Sequence, residues 1–195
     1  VLSRGLGDVY KRQIIYSTTK FLSGHGNAMG GCVVDTGKFD WANNRGFEKL
    51  NEPDTSYHGI KFYETFGNLA YINFCHACAL RDLGTTMSPF NAYLTLTGIE
   101  TLNLRMQKHM SNAKKVANFL IKHNNVDNVS WSGFQNNKSY KLAKKYFKFG
   151  FGSVFTFSVK SGYDGAKKVV ENCNLFSHLA NVGDTKSLII HPAST

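Results

Sequence analysis

No stretch of this chain approaches the roughly 18 to 20 consecutive apolar residues that a helical membrane span needs. Its apolar runs are as short as Leu188-Ile189-Ile190. Cysteine is scarce as well: Cys32, Cys75, Cys78 and Cys173 are irregularly spaced among 195 residues. Four is too few for a disulfide scaffold and reads as reduced thiols in a cytoplasmic protein. Residues 1–13 lack the hydrophobic stretch and small-residue cleavage site of a secretory signal. No internal repeat or low-complexity segment stands out. Acidic residues fall short of basic ones, 13 against 23, which leaves a net charge of +10. What is present is 42% hydrophobic and 13% aromatic residues, enough for a core, so disorder of the whole chain is excluded.

The charge has two sources. Arg4, Lys11, Arg12 and Asp8 lie in a segment whose string Gly5-Leu6-Gly7-Asp8-Val9-Tyr10-Lys11-Arg12-Gln13 resembles a read-through tail found at the ends of unrelated environmental sequences. Residues 1–13 are therefore expected to be non-native, against the alternative of an ordinary N-terminal segment. With no initiator Met, and with His191-Pro192-Ala193-Ser194-Thr195 at the other end, both ends are expected to be cut. Most remaining charge follows residue 100, densest at Lys138, Lys141, Lys144, Lys145 and Lys148. A basic stripe can bind nucleic acid, and a basic binding module is the competing non-enzymatic class. Helical spacing puts the last four lysines on one face, which reads as a solvated helix face. No zinc-finger pattern, RNP-type strand or Arg-rich segment supports the nucleic-acid reading.

The hydrophobic pattern predicts alternating strands and helices. Ile14–Tyr16 reads as the end of a buried strand and Cys32–Val34 as a second. Residues 36–60 read as a long loop whose aromatic patches, Phe39-Asp40-Trp41 and Tyr57-His58-Gly59, pack on something. Phe62–Leu83 reads as a helix stopped by Gly84. Ser88 and Pro89 suit a cap and first turn. From there the stripe Ala92, Leu96, Ile99, Leu102, Met106, Met110, Ala113, Ala117, Leu120 steps by three or four toward His123 and Asn124. One helix of about 35 residues, roughly 50 Å long, is expected. Strands at 126–131, 155–159 and 188–190 and helices at 139–147 and 165–173 follow. The class is α/β in both halves.

Two motifs invite chemistry and yield little alone. Cys75-His76-Ala77-Cys78 has no second ligand pair for zinc and lies inside an apolar helical run, so it reads as core packing, with no metal expected. Gly24-His25-Gly26-Asn27-Ala28-Met29-Gly30-Gly31 fits neither the dinucleotide fingerprint nor the P-loop. It says only that the backbone needs freedom or approaches something closely. Ser17-Thr18-Thr19-Lys20 just before it is more informative. Hydroxyls at a strand end can hold a phosphate, and a lysine there can form an imine with an aldehyde. Together those describe pyridoxal phosphate, yet on chemistry alone the signal is weak and a surface lysine after a strand is the favoured reading.

Ser17-Thr18-Thr19-Lys20 followed by Gly24-His25-Gly26 resembles the cofactor-lysine motif of the Cys/Met-metabolism family of pyridoxal-phosphate enzymes. Gly30–Asp35 resembles that family's next strand. Arg81-Asp82-Leu83-Gly84, Ser88–Ala92 and Gly98–Met106 resemble its long connecting helix. Leu175–Asp184 and His191–Thr195 resemble its C-terminal signature. The resemblance covers about residues 14–195. The segment Gly37–Trp41 through Glu52–Gly59 is similar to the insertion of O-acetylhomoserine sulfhydrylases, whereas γ-lyases and cystathionine synthases have a shorter connection there.

The resemblance implies an aspartate-aminotransferase-like (type I) fold in part. Residues 14–100 would form the C-terminal part of the cofactor-binding domain, and 101–195 a truncated C-terminal α/β domain. It implies that Lys20 carries pyridoxal 5'-phosphate, that Ser17 and Thr19 donate to its phosphate, and that Asn181 lies beside the substrate carboxylate. The implied reaction replaces the acetate of O-acetylhomoserine by sulfide or a thiol, giving homocysteine or methionine, in methionine biosynthesis. Methionine γ-lyase and cystathionine γ-synthase or lyase are the alternatives. A cytoplasmic homotetramer, a dimer of dimers, with small-molecule substrates and no nucleic acid or membrane partner, is implied for the parent. The acid at the pyridine nitrogen, the ring-stacking aromatic and the carboxylate-binding Arg would lie outside this chain. The 195-residue chain is therefore expected to be inactive.

Overall fold

The computed structural model describes residues 13–43 and 46–195. The expectation for residues 1–13 thus lies outside the described residues except for Gln13, which opens the first strand. The described residues form two compact units, 13–17 with 30–91, and 18–29 with 92–195.

In the first unit, β1 (Gln13–Ser17) pairs antiparallel with β2 (Gly31–Asp35), Ile14 opposite Val34 and Ser17 opposite Gly31. Ile15, Val33 and Val34 are exposed, which corrects the reading of Ile14–Tyr16 as buried: a two-stranded ribbon leaves apolar surface uncovered. The following stretch packs as its aromatics foretold. It contains α1 (Glu48–Asn51) and a 3-10 turn at Thr55–Tyr57. Phe39, Trp41 and Leu50 join Phe62, Ala70 and Cys78 in one core. The Asn51 side-chain amide donates to the carbonyls of Trp41 (2.8 Å) and Phe47 (3.1 Å), so the loop backbone is satisfied without regular structure.

The helix expected over Phe62–Leu83 is broken into α2 (Phe62–Phe66), α3 (Ala70–Phe74), a π-turn at Cys75–Leu80 and α4 (Arg81–Leu83). Gly67 adopts φ 55°, a left-handed value that ends α2. Gly84 closes the run at φ 63°, its N–H donating to the Leu80 carbonyl at 2.9 Å. Cys78 is buried in the core and Cys75 half-buried.

α5 (Pro89–Glu100) starts where expected, with the Asn91 N–H donating to Ser88 Oγ at 3.2 Å. The single long helix is not observed. Thr101 interrupts it, and α6 (Leu102–Leu120) begins afresh. The cause lies one turn back: Arg105 Nη2 (2.6 Å) and Thr101 Oγ1 (3.3 Å) both donate to the Gly98 carbonyl, competing with the backbone ladder.

The second unit continues through β3 (Val126–Ser130), α7 (Tyr140–Tyr146), β4 (Thr156–Val159), α8 (Gly162–Glu171), β5 (Ser177–His178) and β6 (Leu188–Ile189). β3 and β4 pair antiparallel, and β5 and β6 parallel. The sequence pattern did not reveal the two-residue β5. Ala117, Val129 and Trp131 centre the core, with Phe134, Phe151, Phe155 and Phe157 packed around them. Lys141, Lys144, Lys145 and Lys148 are all exposed. Among the described residues no helix is long and apolar enough to cross a membrane.

Candidate active site

Beyond Ser17 the chain leaves β1 and coils tightly. Within the second unit the Ser23 N–H donates to the Thr18 carbonyl at 2.9 Å and the Gly24 N–H to the Lys20 carbonyl at 2.7 Å. Thr18 is buried, and its hydroxyl has no partner among the described residues. Ser17, Thr19 and Lys20 are half-buried. The turn therefore buries Thr18 and leaves its neighbours Thr19 and Lys20 half-buried. Ser17 closes the strand of the first unit.

Lys20 does not wander. Its Nζ donates to Asn181 Oδ1 at 2.9 Å, across 161 residues of sequence, and Asn181 Nδ2 donates to Asp184 Oδ2 at 2.8 Å. The Asp184 N–H in turn donates to the Asn181 carbonyl at 3.1 Å. Gly26 explains part of the glycine-rich loop. It adopts φ +66°, and a Cβ there would stand 2.8 Å from Asp184 Oδ2 and 3.3 Å from Asn181 Nδ2. Both needs, a left-handed backbone and a close approach, meet at that residue.

A second set of groups holds the turn from behind. Arg105 on α6 donates to the carbonyls of Phe21 (2.9 Å) and Leu22 (3.2 Å) as well as Gly98. The Phe21 ring meets His109 edge-on, ring centres 6.2 Å apart. The Thr185 N–H donates to the Gly24 carbonyl at 2.8 Å. Arg105 and Asp184 lie inside the motifs Gly98–Met106 and Leu175–Asp184, and neither carries a role that its own sequence neighbourhood states. Asp184 closes the turn-forming string Asn181-Val182-Gly183-Asp184, whereas Arg105 lies off the apolar stripe among other polar residues and carries no local signal.

The electrostatics follow from burial. Burial pushes the Asp184 carboxyl up, but the Lys186 N–H, the Asn181 amide, the Lys186 charge and the Thr185 hydroxyl outweigh it, and the group stays below the usual carboxylate range. His109 is pushed down, first by burial and then by the Arg105 charge, with Asp184 opposing. Burial also lowers Arg105. Among the described residues no group of three or more His, Cys, Asp or Glu is placed to hold a metal ion.

The donor set suits a phosphate-bearing aldehyde. A primary amine is held by a neutral amide oxygen, so releasing it for bond formation breaks no ion pair with Asn181. Three hydroxyl residues, Ser17, Thr18 and Thr19, precede it in sequence. A lysine after a strand end in a mixed α/β fold is compatible with the class of lysine-linked pyridoxal-phosphate enzymes.

Residues 13–195 match the family described as Cys/Met metabolism PLP-dependent enzyme. O-acetyl-L-homoserine sulfhydrylase of Leptospira meyeri is 49% identical over 191 residues, covering 93% of this chain and 43% of that protein. Homocysteine synthase of Schizosaccharomyces pombe is 50% identical over 183 residues, with the same two coverages. A crystal structure of an O-acetylhomoserine (thiol)-lyase from Campylobacter jejuni, which contains N'-pyridoxyl-lysine-5'-monophosphate, superposes with a TM-score of 0.86 at 38% identity, covering 93% of this chain and 45% of that one. The chain belongs to the Cys/Met metabolism family of PLP-dependent enzymes and has their type I fold in part. It spans less than half the length of these relatives.

Proposed function

We propose that this chain forms part of an O-acetylhomoserine sulfhydrylase, which replaces the acetate of O-acetylhomoserine by sulfide or a thiol. The observation that carries the reading is the half-buried amine of Lys20, held at 2.9 Å by the neutral oxygen of Asn181 in a turn braced from three sides. The two relatives named for O-acetylhomoserine sulfhydrylase and homocysteine synthase, at 49% and 50% identity, support the choice of reaction. The reading assigns the activity to a full-length protein of the relatives' size, not to 195 residues alone. It includes the division of this chain near residue 100 into part of a cofactor-binding domain and part of a C-terminal domain. It extends to a cytoplasmic homotetramer built as a dimer of dimers.

Pyridoxal phosphate, when bound, supplies the electron sink. Lys20 is its attachment point and, once released, moves protons at the α and β carbons of the substrate. Ser17 and Thr19 donate hydrogen bonds to the phosphate. Asn181 takes a place beside the substrate carboxylate while its oxygen faces Lys20. At the γ carbon the C–O bond breaks, acetate leaves with the bonding pair, and sulfide forms the new C–S bond.

The test is Lys20→Ala in the full-length protein. The expected result is loss of the absorption band of lysine-linked cofactor and of sulfide-dependent homocysteine formation, with loose cofactor binding retained. Lys20→Arg should not rescue, because a guanidinium stays protonated. Unchanged turnover in Lys20→Ala would overturn the assignment. Conversion of methionine to an α-keto acid, without replacement activity, would overturn the sulfhydrylase choice alone and favour a γ-lyase.

A further inference from the structure

The side-chain amide of Asn181 looks the same from either end, and its orientation is fixed only by what it faces. On one side stands an ammonium, which can only donate. On the other stands a carboxylate, which can only accept. Lys20 Nζ is 2.9 Å from Oδ1, and Nδ2 is 2.8 Å from Asp184 Oδ2. Asp184 is itself immobilised. It is 7% exposed, and its Oδ1 accepts from the Lys186 N–H at 2.9 Å and from the Thr185 hydroxyl at 3.4 Å. That leaves Oδ2 aimed at the Asn181 amide. Gly26, with no Cβ, leaves room for this pair.

We propose that Asp184 is a positioning residue for Lys20: it orients the Asn181 amide so that the carbonyl oxygen, and not the NH2 group, meets the lysine amine. The proposal rests on the reading of Lys20 as the reactive lysine. Asp184 does not touch Lys20; it acts only through Asn181. With Asp184 present, a flipped amide sets Nδ2 against the ammonium and Oδ1 against the carboxylate, two repulsions at once. With Asn at 184, the neighbouring amide can donate to Oδ1 of Asn181, so only the Lys20 ammonium still opposes the flip, and Lys20 loses its acceptor for part of the time. The lysine then samples positions away from Asn181, both before cofactor attachment and whenever its amine is released.

The test uses the full-length protein without cofactor and reads the rate at which acetic anhydride acetylates Lys20, measured by mass spectrometry against Lys38 as internal reference. In Asp184→Asn the amine should label faster by about 3- to 10-fold, the worth of one hydrogen bond. The exchange Asn181→Asp with Asp184→Asn rebuilds the chain with roles reversed. The new amide at 184 donates to the new carboxylate at 181, whose other oxygen accepts from Lys20. This double variant should restore slow labelling. Asn181→Asp alone also offers Lys20 a carboxylate oxygen and should label no faster than wild type, which controls for the added charge.

Equal labelling in wild type and a folded Asp184→Asn overturns the proposal, as does a double variant that labels as fast as Asp184→Asn. Should Asp184→Asn not fold, the double variant decides. Folding with slow labelling supports the exchange, and failure to fold overturns it. The cofactor gives an independent reading: after reconstitution, Asp184→Asn should show a broadened absorption band of lysine-linked cofactor that the double variant sharpens. A wild type that labels slowly but never links pyridoxal phosphate at Lys20 overturns the proposed function and leaves the Asp184–Asn181–Lys20 relationship standing.

Discussion

The guanidinium of Arg105 donates to the main-chain carbonyl of Phe21 at 2.9 Å, 84 residues away in sequence and one residue beyond Lys20. It also reaches Leu22 and Gly98. One planar fork therefore ties the lysine turn to the junction of α5 and α6, and no other side chain type offers that many fixed donors.

Arg105→Ala should leave these carbonyls short of a donor at a cost of about 2 to 3 kcal/mol, since hydrogen bonds to charged groups are the stronger kind. Arg105→Lys should recover only part, because an ammonium is a point donor and cannot span the same acceptors. Hydrogen exchange of the full-length protein checks this at the Ser23 and Gly24 amides, whose bonds to Thr18 and Lys20 close the turn. Faster exchange is expected in both variants, more so in the alanine. Unaltered exchange in Arg105→Ala would show that the turn is held without it.

Gly98→Ala tests the same junction from the helix side. A Cβ at Gly98 would collide with the Ser23 carbonyl oxygen and stand 2.7 Å from the Leu22 carbonyl and the Ser23 Cα. These are backbone atoms and cannot rotate aside. Alanine gains about 1 kcal/mol of helix propensity. Overpacking costs about 1 to 3 kcal/mol, and three backbone contacts put this case at the upper end. The net expectation is destabilisation together with weaker cofactor retention, read from urea midpoints and from the cofactor lost on dialysis. A more stable variant would mean that the helix shifts freely.

Why some of this was legible in the sequence and some was not follows from the range of each interaction. Ser88 and Gly84 are local signals, cap and stop, and both hold in the structure. The pattern that singles out Lys20 as a candidate, hydroxyls, lysine and glycines, is local and lies within ten residues. The break at Thr101 was not, because the apolar stripe runs through it without a fault. Only the pull of Arg105 on Gly98, and the backbone of Leu22 and Ser23 beyond it, distinguish that turn. Asp184 is opaque in sequence for the same reason: its meaning depends on Lys20, more than 160 residues earlier. β5 is two residues long and has no period to detect.

Trp41 organises the first unit. It stacks on Tyr71, ring centres 5.2 Å apart, and meets Phe39 and Phe47 edge-on at 4.4 and 4.9 Å. At 2% exposure it is one of the largest fully buried side chains. Trp41→Ala should cost about 3 to 5 kcal/mol, the usual range for removing a buried aromatic of this size. Because the loss falls on α2 to α4, exchange protection over Phe62–Leu83 should collapse while that of α6 persists. Uniform loss across both regions would show that the two units unfold together.

His109 supplies a pH test whose sign is fixed. Its pKa lies below the ordinary 6.5 because the half-buried ring loses solvation and lies near the Arg105 charge, with Asp184 opposing. Its Nε2 is buried without a partner, so a proton added there gains no hydrogen bond. The unfolded chain therefore binds this proton more readily than the folded one. Above the ordinary value both states are neutral and His109 contributes no pH dependence. As pH falls below 6.5 the unfolded state protonates first and stability drops, by up to about 1.4 kcal/mol per pH unit, until the folded-state value is passed. His109→Gln stays neutral throughout and removes this contribution. The urea midpoint of the full-length protein should therefore fall more in wild type than in His109→Gln between about pH 7.5 and about pH 5, other titrating groups being common to both. Parallel profiles would show that His109 is protonated as easily in the fold as outside it. A steeper fall in the variant would reverse the sign and place a stabilised imidazolium at this site.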